Sequence, residues 1–434
     1  MKLSIAWIFD HIDADWQKFD IADIVSRFNR TTAEIERVEK VTFDKDRFAL
    51  AQVVSVGQNV QLQCAEWDVE CTVPLRDDVC VGAYFVITKK GDAYAWATVA
   101  DWHCPKDGLL PRMWVAQSEF TGTWKKHIDT IDYILDVDNK SITHRPDMWG
   151  HRGFAREIAA MLDVPFKSLK NFVSDLSLKQ YEWSASATKN QPIAITIKDQ
   201  DGCNRFAACY MQGVSYCPSL PWMAYRLART ESRSIDAIVD ATNYVMLDIG
   251  HPMHAFDADN ISGQEIIVRK ARKTEVLTLL DGQQLQLRPE DIVVADGDGA
   301  ISLAGIMGGK DSGVCNNTKN LLLEAAWFDA TTIRRTATHF KLRTESSARF
   351  EKTMDPNGNS VALQRFVRVL EDANINFKMC SVIASVGSQA DPMVIAITHE
   401  FIEKQIGVVV DPQAVEDICA KLSFGVERKM MNDG

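Results

Sequence analysis

Three short stretches of this 434-residue chain hold the side chains best suited to chemistry. The densest is SIDAIVDATNYVMLDIGHPMHAFDADNI, residues 234–261, where His251 and His254 stand three positions apart. An HxxH pair can share a helical face, but Pro252 spoils that platform and no third ligand follows, so no metal site is expected. A neutral imidazole both donates and accepts hydrogen bonds, which suits His254 to positioning a water or a substrate hydroxyl. A structural histidine with its partners satisfied is the plainer reading. The second stretch, LLLEAAWF at 321–328, sets Glu324 inside an apolar run. An ionised carboxylate is costly to bury without a partner. Glu324 is therefore either on the wet face of a strand or at the floor of a pocket, waiting for a donor. The third, FKLRTESSARFEK at 340–352, places Thr344, Ser346 and Ser347 ahead of a helical Ala348–Lys352. Helix capping alone accounts for those hydroxyls.

A glycine-rich run, AGIMGGKDSG at 304–313, lacks the GxxxxGK[ST] spacing of a phosphate loop, and Lys310 is followed by Asp311. Tight turns and close backbone approach explain it, and such turns also make a pocket floor of bare backbone. No Ser-His-Asp or Cys-His arrangement is evident. The ten cysteines between Cys64 and Cys419 show no CxxC spacing, so free thiols are expected.

These stretches need elements to hold them. Residues 1–42 have the pattern of a small α/β piece, with Asp20 as an N-cap and Ile21, Ile24, Val25 and Phe28 at amphipathic-helix spacing. FALAQVVSV, VQLQCAEW, ECTVPL, AYFVITKK and AYAWATVA are short β-rich segments punctuated by Gly, Asp and Lys. They predict an OB-like barrel over 43–127, for which a sandwich is the alternative. IDYILDVD is a strand, THRPDMWGHRG a turn-rich loop, and FAREIAAML a helix with Phe154, Ile158, Met161 and Leu162 on one face. A polar linker is expected at 171–190. Strands then alternate with helices to about 388 without a clean βαβ repeat, which predicts α+β architecture. After Asp391 the pattern gives a strand, a helix over Glu400–Ile406, a second helix opened by Asp411-Pro412, and the start of another strand at LSFGVERK.

The composition, 46% apolar and 25% charged, is that of a multidomain globular protein with no membrane span, and a cytoplasmic location is expected. A net charge of −11 excludes a uniformly basic coat. It leaves room for an RNA partner on a local basic face, for which Arg334, Arg335, Lys341, Arg343, Arg349 and Lys352 are candidates beside the plainer reading of a solvated helix.

Taken together, RSIDAIVDATNYVMLDIGHPMHAFD, GIMGG with SGV, LLLEAAWF and RTESSARFEKTMD follow one another as they do in the phenylalanyl-tRNA synthetase beta-subunit family, which this chain resembles most closely over about 130–388. THRPDMWGHRGFAREIAAML is similar to the segment closing that family's first domain. The resemblance implies an α+β multidomain chain. An amino-terminal α/β domain (1–42 with 128–170) would be interrupted by an OB-like tRNA-binding barrel (43–127). A tRNA-editing domain (190–388) and the truncated start of a further α/β domain (391–434) would follow. It implies hydrolysis of tyrosine mischarged onto phenylalanine tRNA, with that tRNA and a catalytic alpha subunit as partners in a heterotetramer of two alpha and two beta chains. ATP and Mg2+ would serve the complete enzyme, none of them bound by this chain. Carried over by position, His254 and Thr344 would place the attacking water and Glu324 would read the tyrosine hydroxyl. Arg233 would hold the tRNA end, and Gly308 would line the pocket. Ser346 departs from the family's usual alanine and could alter discrimination. The family's tRNA-binding signature is not found at 43–127. A non-catalytic tRNA-binding or assembly module and a stand-alone trans-editing hydrolase remain as alternatives.

Overall fold

A computed structural model describes residues 1–138, 140–174, 192–381, 384–387 and 389–429. Strand β1 (Lys2–Ser4) leads into helix α1 (Ile5–Asp10), which Ser4 caps by accepting the Trp7 amide. Asp20 caps α2 (Ile21–Thr31) through the Ala22 amide, and the helix buries Ile21, Ile24 and Phe28. After β2 (Ile35–Thr42) come β3 (Phe48–Val56), β4 (Asn59–Cys64), β5 (Val69–Pro74), β6 (Tyr84–Lys90) and β7 (Ala93–Trp96). Those last five form one sheet, ordered β5-β4-β3-β6-β7, that curls like a barrel. Its edges meet where Trp96 Nε1 donates to the Pro74 carbonyl at 2.8 Å. Strand β8 (Ile131–Val137) then returns between β1 and β2, and α3 (His151–Leu162) packs with α1 and α2 over that three-stranded sheet.

The rest of the chain builds two facing sheets with helices on one outer side. In order come β9 (Ala194–Ile197), β10 (Cys203–Gln212), α4 (Pro221–Arg229), α5 (Ala237–Ile249), β11 (His254–Asp257) and β12 (Glu265–Lys270). They are followed by β13 (Val276–Thr278), β14 (Gln284–Gln286), β15 (Ile292–Ala295), β16 (Ala300–Leu303), β17 (Met307–Gly308) and β18 (Asn320–Phe328). Helices α6 (Ala330–Phe340), α7 (Glu345–Phe350) and α8 (Gly358–Asp372) precede short strands β19 (Lys378–Met379) and β20 (Ala384–Gly387). One sheet runs β11-β18-β10-β19, with β20 also on β10; the other runs β17-β16-β15-β12-β9. Side-chain alternation along β18 serves two cores. Leu321, Leu323 and Ala325 face α4, α5 and α8, while Leu322, Ala326 and Phe328 face the second sheet. Each leucine so enclosed contributes roughly 1.5–3 kcal/mol. The apolar run around Glu324 follows from a strand buried on both faces.

The amino-terminal sheet is joined to this body by a buried polar hub. Asp248, near the end of α5, accepts from Trp7 Nε1 at 2.8 Å and from Arg365 Nε at 2.7 Å, with His11 Nε2 at 2.7 Å. Burial works against its charge, but His11 and Arg365 outweigh burial and hold the carboxyl well below the usual range. Trp7 itself lies in the same core as Leu321 and Leu323.

The architecture is mixed α+β with several sheets, one of them barrel-like. The tail departs from the sequence reading. Helices α9 (His399–Ile406) and α10 (Pro412–Lys421) form behind Thr398 and Asp411 caps. Among the described residues no strand forms after Asp391 or at LSFGVERK: Met393 and Val394 are 88% and 90% exposed, and Phe424 is also exposed. A β-rich run becomes a strand only beside a partner, and none of the described residues flanks these two. The expected linker at 171–190 lies, from 175 onward, outside the described residues.

Candidate functional site

The edges of the two facing sheets bring three of the candidate residues together. His254 opens edge strand β11, and the antiparallel register sets it directly opposite Glu324 of β18. On its other side Glu324 faces Ala208 of β10, a side chain too small to partner it. Alternation places Glu324 on the buried face with Leu322, Ala326 and Phe328. Of the two readings left open for it, the wet strand face is excluded: it is 5% exposed and its Oε2 has no hydrogen-bond partner. Burial pushes its carboxyl up to about 8. At neutral pH it is therefore an uncharged acid, able to donate as well as accept. Burial pushes the His254 imidazole down to about 4, so it is neutral, and its Nε2 is enclosed and unpartnered. Opposed polar groups on an apolar face, each lacking a partner, are poised for a ligand that supplies one.

Gly308 of β17, the edge strand of the other sheet, closes this space. A Cβ at that position would stand 2.4 Å from His254 Cε1 and 2.7 Å from Nε2, so only glycine leaves room for the ring. Phe256 packs on the imidazole in a T-shaped contact, with centroids 4.4 Å apart. The glycine run thus serves close packing. Gly309 similarly abuts the Ile301 carbonyl. Among the described residues no three His, Cys, Asp or Glu side chains group as metal ligands.

Thr344 and Ser346 act one step away. Thr344 caps α7 in a reciprocal box with Ser347, and its hydroxyl donates to the Ile306 carbonyl at 2.9 Å. Ser346 Oγ donates to the Gly305 carbonyl at 3.1 Å. Together they pin the turn that delivers Gly308. Thr344→Ala is expected to cost ~1–2 kcal/mol, read by urea unfolding, because a cap and a carbonyl partner are lost together. An unchanged unfolding midpoint would show that the turn holds itself.

Arg233 is not brought to this cluster. It is exposed between α4 and α5, with its guanidinium against Gly108 in the loop after the barrel-like sheet. The basic group proposed from sequence also divides. Arg349 is fully buried and donates to the Trp149 carbonyl and to Glu345, and Lys352 pairs with Glu351. His251, the other half of the HxxH pair, is buried at the end of α5 beside Gly358 and Phe350. The sequence reading missed Ala208 and Phe256, which flank Glu324 and His254. Period-two alternation in FAACYMQGV and HAFD carries that signal once strand pairing is known.

Over residues 202–374 this two-sheet α+β body matches the family described as the B3/4 domain. Curated relatives narrow the class. A phenylalanine–tRNA ligase beta subunit from Solibacter usitatus is 36% identical over 296 residues, 68% of this chain and 37% of that protein. One from Anaeromyxobacter dehalogenans is 40% identical over 238 residues, 55% of this chain and 28% of that protein. The chain belongs to the phenylalanine–tRNA ligase beta subunit family, and it spans only 37% and 28% of the length of these two relatives. Among solved structures, an amino-terminal fragment of the phenylalanyl-tRNA synthetase beta-subunit from Pyrococcus horikoshii aligns at a TM-score of 0.38 and 13% identity, over 99% of this chain and 90% of that one.

Proposed function

We propose that the Glu324–His254 pocket is a hydrolytic editing site, which removes tyrosine wrongly esterified to phenylalanine tRNA within a phenylalanine–tRNA ligase. The observation that supports it is the cross-strand pairing of a buried carboxyl with a half-buried imidazole, whose enclosed Oε2 and Nε2 have no partner. A pocket that selects phenylalanine cannot strongly exclude tyrosine, which only adds a hydroxyl, whereas a second pocket that needs this hydroxyl discriminates well. Glu324 pairs with the phenol. Neutral His254 holds a water or the terminal ribose hydroxyl beside the ester. Thr344, whose proton is committed to Ile306, offers only a lone pair. An aminoacyl ester is already activated, so positioning carries the rate, and no residue is assigned as general base.

In the same proposal the chain divides into an α/β domain at 1–42 with 128–170, an OB-like barrel at 43–127, the editing domain at 190–388 and part of a further domain from 391. Its partners are phenylalanine tRNA and an alpha subunit, in a heterotetramer of two of each, in the cytoplasm. ATP and Mg2+ act in ligation on the alpha subunit. Single-turnover deacylation of tyrosyl- and phenylalanyl-tRNA by the whole chain tests the proposal. The expected result is faster release of tyrosine, by at least ~10-fold. No release of either would leave the pocket idle and favour a binding or assembly module.

A further inference from the structure

In a chain of net charge −11, residues 330–343 carry Arg334, Arg335, Lys341 and Arg343 and no acid. Helix α6 turns Ile333, Thr336 and Ala337 inward and leaves Arg334, Arg335, Thr338 and His339 exposed. Lys341, its left-handed C-cap, follows Arg334 by seven positions and continues the Arg334–Thr338 stripe. The side chains of Arg334, Arg335 and Lys341 make no hydrogen bond or ion pair among the described residues. Arg343 is 72% exposed and reaches Glu351 only at 3.6 Å, a carboxylate that Lys352 already holds at 2.9 Å. The other nearby acids are engaged too: Asp329 by Thr332 and Glu345 by Arg349. Solvent alone balances this positive stripe.

The back of the same helix packs against the turn that leads to Gly308. Ile333 Cδ1 lies 3.1 Å from where a Cβ on Gly305 would stand, with Phe328 and Phe350 beside it. The Gly305 and Ile306 carbonyls are those pinned by Ser346 and Thr344, and Gly308 follows against His254. A cleft on the outer side of this loop is lined by Arg272, Lys273 and Lys310, but Glu275, Asp296, Asp298 and Asp311 balance them. The α6 face has no such balance.

We propose that the Arg334–Arg335–Lys341 face of α6, with Arg343, binds the phosphodiester backbone of the RNA whose charged end enters the Glu324–His254 pocket. This rests on the editing proposal for the identity of the RNA. A polyanion fits better than an acidic protein surface, because the cations follow one line on a segment that carries no acid.

The test uses the whole chain and an Arg334→Gln/Arg335→Gln/Lys341→Gln variant, exposed changes on a helix that keeps its buried face. Binding of uncharged phenylalanine tRNA is measured across salt concentrations. Each lost phosphate contact lowers the log–log salt slope by about one, so the variant is expected to lose about two to three. Its affinity near 0.1 M salt should fall by at least ~10-fold. With tyrosyl-tRNA the loss should appear in the half-saturating concentration rather than in the saturated rate. Equal slopes and affinities in both proteins overturn the proposal. So does an unmodified chain that binds RNA without salt dependence or not at all, which would leave this face to a protein partner. RNA binding lost in the variant, with no ester hydrolysed by either protein, upholds the RNA face and removes the hydrolase reading.

Discussion

Glu324→Ala is expected to slow release of tyrosine from phenylalanine tRNA by up to ~10-fold and to erase most of the preference over phenylalanine. The hydrogen bond to the phenol is worth ~0.5–1.5 kcal/mol while the acid is neutral and ~1.5–3 kcal/mol once it is charged. Phenylalanine gains no such bond and leaves the enclosed carboxyl as unpartnered as it is in the empty pocket, so the preference for tyrosine disappears with the side chain. His254→Ala should slow both esters in similar proportion, because water placement does not depend on the phenol. Single-turnover rates of both esters with both variants separate the two roles. Full rate and full selectivity in Glu324→Ala would end the assignment. The same carboxyl also gives a stability test. Its folded value is about 8 against an ordinary 4.5, so the fold keeps a proton that the unfolded chain has lost between those values. Stability therefore falls as pH rises through this window, and the full cost is present above about pH 8. Glu324→Gln should change little near pH 4 and should stabilise by a few kcal/mol near pH 9, since a tenfold difference in proton affinity between folded and unfolded chain is worth ~1.4 kcal/mol. A stabilisation independent of pH would mean that the carboxyl is not held neutral.

Gly308→Ala is expected to lower release of both amino acids by ~100-fold or more. The added methyl would meet the imidazole at 2.4 Å, and Phe256 already packs on the same ring, with centroids 4.4 Å apart. The ring must leave its place opposite Glu324, and a displacement near 1 Å in a positioning group costs ~10²-fold. Overpacking should also destabilise by ~1–3 kcal/mol, read by urea unfolding. Adding His254→Ala removes the clash, so the double variant should recover most of that lost stability. A single variant as active as the parent would show that the ring does not need this position.

Much of the architecture was legible because its signals are local. The five barrel strands announce themselves by alternation between turn residues, and Asp20 and Asp411 mark helix starts that the structure keeps. Glu324 was legible as an anomaly, though not as a buried one. Its burial depends on a second sheet above β18, and its pairing with His254 joins strands far apart in sequence, for which neither segment carries a local sign. The apolar run after Asp391 shows the converse: the residue types of a strand, with nothing alongside to bond to.

The hub at Asp248 makes the pocket inseparable from the amino terminus. A fragment beginning near residue 190 would lose Trp7 and His11 together, leaving a carboxylate facing Arg365 across the void of an indole that belongs to the same core as β18. The harm would not stay at the cut. Asp248 sits in the last turn of α5, whose end at Gly250 aims the chain into His251 and then His254. The pocket is thus no portable cassette: its histidine takes its bearing from residues at the far beginning of the chain.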